Sequence, residues 1–440
     1  MKNSLTSALF VGVMLALCLC LSVTTLVFGP SGSAANEQLA EKPALKAEDG
    51  SFNKDYLSQL QSYVNDSFYL RQKLISVDRK LTGLLGVSGE DSVILGKDGW
   101  LFFEKTLADY TDTDPMSNRE LFSAASNVAL MEEYCKKNGK DFTFVVAPNK
   151  NSLYGQYMPD YGVKATSSNA KRFHSLLTQM EVSYVDLFTA FAQENEQLYF
   201  AHDSHWNSKG AAYGADLINA AFEVESNYYG GDFGYKVVHD GDLYGMVYPG
   251  VQDTELDGLY GGELAFSYKG PSTQADAIVL MTEGGGSGKL LCYRDSFGIL
   301  LYPYLADSYG SAKFSRLVNY DLTENADYVV IELVERNLRY LIQNVPIMEA
   351  PVRDLGVMLT VSGKVEAAVD ESARSPEGYS LLRGTLPQTP DADSCVYVIC
   401  DGVTYEAFCL QNNGFAAHIP GKATHVVCSI GGTLQMFEIQ

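Results

Sequence analysis

Residues 289–306 read KLLCYRDSFGILLYPYLA, a short apolar run followed by a polar turn and a helical segment. The pattern predicts a buried strand over 289–293, a turn at Arg294-Asp295-Ser296 and a helix over 297–306. A serine at such a turn presents its hydroxyl at the carboxyl edge of a sheet, where N–H groups of the first helical turn face an oxyanion. Ser296 is therefore a candidate nucleophile, although a helix-capping serine has the same local pattern.

Strand and helix patterns alternate on both sides of this segment. Apolar runs typical of buried strands occupy residues 142–147, 182–187 and 328–332. Helical spacing occupies residues 119–137, 171–180, 207–222 and 335–343. This alternation predicts an α/β domain with three layers and a mainly parallel sheet.

The N-terminus carries a long apolar run. Residues 8–28 comprise 21 mostly apolar residues, and no charged residue lies between Lys2 and Glu37. A helix of that length just crosses a hydrocarbon layer of about 30 Å. It predicts a single membrane anchor within residues 1–30, with the catalytic domain outside the cytoplasm by the positive-inside bias. The alternative is a cleaved signal and a secreted protein, with Ser33-Ala34-Ala35 as the cleavage site.

The remaining chain divides into three predicted parts. Residues 31–54 are polar and contain Gly, Pro and Ser, which predicts a flexible stalk. Residues 55–350 form the predicted α/β domain, beginning with a helical lead-in and a hairpin around Lys97-Asp98-Gly99. In residues 351–440 the helical period disappears, and short strands predict a β-sandwich-like module. Sugar binding and a purely structural role are both open for that module.

The overall charge excludes one class of partner. The 440 residues include 54 acidic and 32 basic side chains, a formal charge of −22. Phosphate backbones are repelled by such a surface, so nucleic-acid binding is not expected. Four of the eight cysteines crowd into residues 395–428, where disulfides and buried thiols are both compatible with the spacing. No cofactor motif is evident.

A second chemical feature is Asp203-Ser204-His205. Residues two apart in extended backbone project to the same side, so the carboxylate of Asp203 can orient the imidazole of His205 as a general base. A polar loop that caps the next helix explains the same residues. A metal site made by His202, Asp203 and His205 is a further alternative. Ser296 lacks a base and this pair lacks a nucleophile, so the two features together favour acyl transfer.

Four segments in this order resemble the bacterial DHHW family and the SGNH-hydrolase-like domain of alginate O-acetyltransferases such as AlgX and AlgJ. They are GKDGWLFF from Gly96, DSHWN from Asp203, RDSFG from Arg294 and VERN from Val334. The resemblance covers about residues 55–345. It implies that Ser296 is the nucleophile, His205 the base and Asp203 its orienting carboxylate. The chain departs from the family pattern at Ser204, at His202, where threonine is common, and at Arg294, which replaces a glycine.

The resemblance also implies further residues and partners. Substrate-binding or oxyanion roles fall to Lys150, Asn149, Arg294 and Trp206. The implied reaction is O-acetylation of a cell-surface or secreted polysaccharide, with a membrane-bound O-acyltransferase as partner. A carbohydrate acetylesterase would use the same residues, and a non-catalytic polysaccharide-binding scaffold is the alternative outside enzymes.

Overall fold

The apolar N-terminal run forms one helix, α1 (Lys2–Phe28), in the computed structural model of the chain. The structure describes residues 2–31, 39–46, 50–83, 90–162, 167–237, 240–356 and 359–440. Phe10–Phe28 is long and apolar enough to cross a membrane and is not buried inside the protein. It is therefore a candidate membrane span, and a signal sequence would have the same properties. The predicted cleavage site at 33–35 lies outside the described residues, as do residues 32–38 and 47–49 of the predicted stalk.

Two helices and a hairpin lead into the α/β domain. The helices are α2 (Tyr56–Ser67) and α3 (Arg71–Gly83), separated by extended backbone at Phe68. Strands β1 (Val93–Leu95) and β2 (Leu101–Phe103) pair antiparallel, as the sequence predicted. The turn between them places Asp98 and Gly99 at positive φ, which suits an Asp-Gly pair.

The α/β domain follows with alternating helices and strands. Its helices are α4 (Leu107–Thr111), α5 (Asn118–Lys137), α6 (Lys150–Leu153), α7 (Asn169–Gln179), α8 (Leu187–Ala192), α9 (Ser208–Ala221), α10 (Asp242–Val247) and α11 (Gly298–Ser308). Its strands are β3 (Asp141–Ala147), β4 (Tyr184–Val185), β5 (Phe233–Lys236), β6 (Asp257–Tyr260), β7 (Phe266–Lys269), β8 (Val279–Gly284), β9 (Lys289–Tyr293), β10 (Ser311–Ser315) and β11 (Tyr328–Val334). The segment Glu335–Ile342, predicted as a helix, is a 3-10 helix.

Seven of these strands form the central sheet, in the order β4-β3-β11-β9-β10-β8-β7. The first five strands run parallel to one another, and β8 is antiparallel to both of its neighbours, β10 and β7. Strands β9, β3 and β11 are central and end at the same edge. The turn that carries Ser296, the loop after Ala147 and the segment after Val334 therefore meet at this edge.

Alternate residues of the central strands belong to two different apolar cores. On β3, Phe144 and Val146 pack in a core with α5 and α7, whereas Val145 and Ala147 pack in a core with α8, α9 and α11. Successive side chains of a strand point to opposite faces, so a strand covered on both faces is apolar throughout. This explains the uninterrupted apolar run FTFVVA at 142–147.

The C-terminal region is a closed, barrel-like sheet, which corrects the predicted β-sandwich. Its strands are β12 (Val352–Arg353), β13 (Val361–Val369), β14 (Ser380–Thr385), β15 (Val396–Cys400), β16 (Val403–Cys409), β17 (Gly414–Ile419), β18 (Ala423–Ile430) and β19 (Thr433–Ile439). The order β12-β16-β15-β18-β19-β13-β14-β17 closes on itself because β17 also pairs with β16. Local strand patterns do not specify this closing pair. Val357 and Met358, part of a predicted strand, lie outside the described residues.

Buried contacts join the barrel-like sheet to the α/β domain. The side-chain amide of Asn127 on α5 donates to the carbonyl of Leu341 (2.8 Å) and to that of Cys409 (2.9 Å), and it accepts from the N–H of Cys409 (3.0 Å). Phe408 and Ala416 share the core beneath α5. The module is therefore packed against the domain.

The cysteines whose side chains the structure describes are all free thiols. Cys292, Cys400, Cys409 and Cys428 are buried, and burial raises the pKa of each thiol. Of the four C-terminal cysteines, Cys400, Cys409 and Cys428 are thus buried free thiols, and Cys395 is a half-buried free thiol.

Candidate active site

The turn between β9 and α11 holds Ser296 rigidly at the sheet edge. Asp295 makes the main contacts, because its carboxylate accepts the N–H of Phe297 (2.9 Å) and that of Val334 (2.8 Å). The N–H of Asp295 in turn donates to Glu332 on β11 (3.1 Å). Ser296 itself is half-buried, so its hydroxyl is held by the fold and still reachable.

The hydroxyl of Ser296 meets the Asp-x-His pair in a continuous hydrogen-bond chain. His205 Nε2 lies 2.8 Å from Ser296 Oγ, and His205 Nδ1 lies 2.7 Å from Asp203 Oδ1. Asp203 also accepts the N–H of His205 (2.8 Å) and that of Asp242 (2.8 Å). The carboxylate is buried and the imidazole is one-fifth exposed. Residues 91 positions apart along the chain thus form the geometry of a nucleophile, a base and an orienting acid.

Asp242 is a second carboxylate beside His205 that sequence reasoning missed. Its Oδ2 lies 3.8 Å from His205 Nδ1, and it accepts from the N–H (2.8 Å) and the hydroxyl (2.6 Å) of Ser204. Burial lowers the pKa of His205, but the hydrogen bond to Asp203 and the charges of Asp203 and Asp242 outweigh it, so the pKa is raised. Asp242 opens α10 in the segment GDLYG, which carries no recognisable local signal.

Replacing Asp242 by asparagine is expected to lower the pKa of His205, since one of the two negative charges that raise it is removed. His205 would then remain unprotonated, and able to act as a base, at lower pH. The acid limb of the pH dependence of kcat/KM for an activated acetyl ester should therefore move to lower pH. Asp160→Asn, at an exposed loop carboxylate, is the control. An unchanged or upward-shifted limb in Asp242→Asn would contradict the prediction.

Arg336 places a positive charge at the site. Its guanidinium lies over the rings of Phe103 (5.4 Å) and Phe297 (5.6 Å), and the latter ring also packs against His205 (4.8 Å). Among the described residues no hydrogen bond or ion pair to Arg336 is found. Arg336 belongs to the VERN segment, which the sequence analysis singled out without assigning a role to this residue.

Replacing Arg336 by glutamine is expected to shift the same acid limb in the opposite direction. The positive charge of Arg336 lowers the pKa of His205, so its removal raises that pKa, and the active base form appears only at higher pH. Arg336→Lys retains the charge and should shift the profile less. The pH dependence of kcat/KM for the same ester measures both variants, and a downward shift in Arg336→Gln would refute the assignment.

Lys150 is buried next to the loop that carries Asp203 and His205. Its Nζ donates to the carbonyls of Phe200 (3.1 Å), Ala201 (3.0 Å) and Asp203 (2.6 Å) and sits over the ring of Phe102. Burial lowers the pKa of Lys150 to about 8. Nearby carboxylates, Asp203 above all, partly offset this effect because their negative charges raise the pKa. Its three N–H groups thus hold the backbone that leads into Asp203.

The other predicted contact residues are also buried. Trp206 is fully buried, and its indole N–H donates to the carbonyl of Phe297 (3.0 Å), bracing the nucleophile turn. Arg294 is directed toward Tyr302 and the carbonyl of Ala275. Asn149 donates through its backbone N–H to Glu335 (2.9 Å). Lys150, Asn149, Arg294 and Trp206 are thus buried and bonded to protein groups, while Ser296, His205 and Asp203 come together.

The residues of the metal alternative divide between two clusters. His202 Nδ1 faces Asp253 (2.7 Å), whereas His205 Nδ1 faces Asp203. The carboxylates of Asp203 and Asp253 already accept backbone N–H groups. His202, Asp203 and His205 therefore do not form one ligand set.

Comparisons with known proteins support the relationship predicted from the sequence. Residues 93–243 match the family described as "SGNH hydrolase-like domain, acetyltransferase AlgX". The "Probable alginate O-acetylase AlgJ" of Pseudomonas syringae pv. tomato is 25% identical over 183 residues, which are 40% of this chain and 44% of that protein. The chain thus aligns with less than half of that relative's length. The predicted resemblance to SGNH-hydrolase-like acetyltransferase domains is confirmed, and the matched region contains Asp203, His205 and Asp242.

Solved structures of similar proteins come from several bacteria. A DHHW family protein from Eubacterium siraeum has a TM-score of 0.42 and 15% identity, covering 57% of this chain and 94% of its own. Bacillus cereus PatB1 with a sulfonyl adduct has a TM-score of 0.43 and 16% identity, covering 57% and 97%. The O-acetyltransferase domain of Pseudomonas putida AlgJ has a TM-score of 0.36 and 15% identity, covering 56% and 92%.

Proposed function

We propose that this chain is an extracytoplasmic serine O-acetyltransferase that acts on a cell-surface or secreted polysaccharide through an acyl-serine intermediate. The observation that carries the proposal is the chain of hydrogen bonds from Ser296 through His205 to Asp203, at 2.8 and 2.7 Å. An oriented imidazole within hydrogen-bond distance of a serine hydroxyl at a strand-to-helix turn is the arrangement that activates a nucleophile.

The reaction has two halves. Ser296 Oγ attacks the carbonyl carbon of an acyl donor while His205 Nε2 takes the hydroxyl proton, and the imidazolium is stabilised by Asp203 and Asp242. The leaving group departs with that proton and leaves the acyl group on Ser296. A sugar hydroxyl then attacks the acyl-serine, with His205 taking its proton and returning it to Ser296.

The tetrahedral oxyanion needs hydrogen-bond donors at the same edge. The backbone N–H of Ser296 donates to no acceptor in the described part of the chain, and it lies at the turn into α11. The guanidinium of Arg336 lies over the ring of Phe297, which also packs against His205. Both are candidate donors to the oxyanion.

The wider assignments rest on the relatives. The name of the Pseudomonas syringae protein, an alginate O-acetylase, supports acetyl as the transferred group and a polysaccharide as the acceptor. We assign residues 55–350 to a three-layer SGNH-type domain, residues 351–440 to an accessory module, residues 31–54 to a stalk and residues 1–30 to a membrane anchor. A membrane-bound O-acyltransferase would supply the acetyl group across the membrane.

The test separates transfer from hydrolysis. The full chain, purified in detergent, is incubated with an activated acetyl ester, and the peptide containing Ser296 is examined by mass spectrometry with and without candidate oligosaccharides. A transferase should form an acetyl adduct on Ser296 and pass it to sugar faster than to water. An adduct that water alone removes would identify an esterase, and the absence of any adduct would favour the scaffold.

A further inference from the structure

A cavity of about 330 Å³ lies next to the loop that carries Asp203 and His205. One wall is the β1–β2 hairpin, and the facing wall is formed by His202, Tyr244 and Tyr248. His202 immediately precedes Asp203, and Tyr244 follows Asp242 by two residues. The two segments that place carboxylates on His205 therefore also line this cavity.

His202 lines the cavity, and one of its two ring nitrogens is engaged by a carboxylate. Its Nδ1 lies 2.7 Å from Asp253, whose carboxylate is buried and also accepts the N–H groups of Thr254 (2.7 Å) and Glu255 (3.1 Å). A carboxylate that holds Nδ1–H leaves Nε2 of the neutral ring as an acceptor. His202 is one-quarter exposed, and its backbone is held by Glu255 through the His202 N–H (2.8 Å). The acceptor is thus fixed in position before any ligand arrives.

Aromatic rings form the rest of that wall. The ring of Tyr244 stacks on the ring of His202, with centroids 5.1 Å apart and planes 26° apart. Tyr248 lies next to Tyr244 at 4.9 Å, with the two planes 58° apart. Both tyrosines are half-buried and line the cavity. A fixed hydrogen-bond acceptor beside half-exposed aromatic rings suits a sugar, which has apolar C–H faces and hydroxyls at its edges.

The negative charge around the cavity favours uncharged sugars over sugars that carry a carboxylate. Asp253 and Glu255 lie directly behind His202, and none of the described residues that line the cavity is a lysine or an arginine. Lys150 is beneath the ring of Trp100, but it is buried and its three N–H groups are given to backbone carbonyls. A carboxylate-bearing sugar would be repelled here, whereas an uncharged one would not.

We infer that the cavity between the β1–β2 hairpin and His202, Tyr244 and Tyr248 is a subsite for an uncharged pyranose of the acceptor polysaccharide. His202 Nε2 accepts a sugar hydroxyl, and Tyr244 and Tyr248 contact the apolar face of the ring. The inference rests on the proposed function, because it supplies the acceptor side of that reaction. It also predicts that the preferred acceptor is neutral or N-acetylated at this position.

The test uses calorimetry to measure the equilibrium binding of three tetrasaccharides to the full chain in detergent. The probes are tetramers of glucose, of N-acetylglucosamine and of mannuronate. At least one uncharged tetramer should bind more tightly than the mannuronate tetramer. Tyr244→Ala should weaken that binding about tenfold. Tyr244→Phe keeps the ring and should bind within about twofold of the unchanged protein.

A second cavity variant and a control variant complete the test. Tyr248→Ala gives a second reading if Tyr244→Ala fails to fold, which thermal melting would reveal, and Tyr235→Ala on exposed β5 is the control. Equal or tighter binding of mannuronate, no binding of any tetramer, or unchanged binding in both alanine variants would overturn the inference. The measurement contains no acyl donor and is repeated in Ser296→Ala. Failure of binding is thus distinct from failure of Ser296 to be acylated.

Discussion

Ser296→Ala is expected to abolish the acyl-enzyme and to reduce turnover of an activated acetyl ester by about 10³-fold or more. The alanine removes the hydroxyl oxygen that lies 2.8 Å from His205 Nε2, so no covalent intermediate can form at this turn. The residual rate would come from binding and from N–H groups at the site. Intact-mass spectrometry and steady-state ester kinetics measure the two effects independently.

Variants of His205 and Asp203 are also expected to lose turnover of the ester. His205→Gln is expected to lose about as much turnover as Ser296→Ala, because nucleophile and base act as a unit. Asp203→Asn should also be severely impaired, since the amide disturbs the ring tautomer that keeps Nε2 an acceptor. Ser175→Ala, on the exposed face of α7, is the matched control. Full turnover in Ser296→Ala, or an adduct on another residue, would remove the basis of the proposed function.

Lys150→Met should cause the second largest effect, lowering the free energy of unfolding by about 2–4 kcal/mol and the rate of Ser296 acylation by about 10²-fold. Methionine fills similar space but leaves the carbonyls of Phe200, Ala201 and Asp203 without their shared donor. The backbone leading into Asp203 would then relax, and the carboxylate would no longer be aimed at His205. Denaturant unfolding and single-turnover acylation measure the two quantities.

The two effects can be separated for Lys150. A purely structural role would lower the folded fraction and leave acylation per folded molecule unchanged, whereas a positioning role lowers kcat for the folded enzyme with little change in KM. Lys136→Met, at an exposed lysine on α5, controls for loss of charge. Normal acylation per folded molecule in Lys150→Met would refute the positioning role.

Parts of the site were predictable because their signals are local. The turn at Ser296 lies where a four-residue apolar run gives way to polar residues and then to helical spacing. The spacing of Asp203-Ser204-His205 predicts that the two outer side chains lie on one side of the backbone. The hairpin at Lys97-Asp98-Gly99 follows from residues that tolerate positive φ. The structure has the turn at Ser296 and the hairpin where the sequence predicts them. Residues 201–205, however, form a bend and not extended backbone, and the N–H of His205 donates to Asp203 within it (2.8 Å).

The residues predicted for substrate or oxyanion contact are buried in the structure. Lys150, Asn149, Arg294 and Trp206 were assigned to substrate or oxyanion contact, yet each is at most 4% exposed. A residue's position in the sequence does not specify which way its side chain points at a sheet edge. Of the two side chains that act on the pKa of His205 from elsewhere, Asp242 lies in a segment without a recognised motif, whereas Arg336 lies in the VERN segment, where no role was predicted for it.

Taken alone, the sequence determined the alternation of strands and helices, the strand-to-helix turn at Ser296, the Asp-x-His pair and the apolar N-terminal helix. These features depend on periodicity and turn chemistry, which act over a few neighbouring residues. Only the tertiary structure decided that Ser296 meets His205, that Asp242 and Arg336 act on its pKa in opposite directions, and that Asp253 orients His202. It also decided that β17 pairs with β16 and closes the C-terminal sheet. These contacts join segments whose approach depends on packing across the fold, and such packing leaves no pattern within either segment.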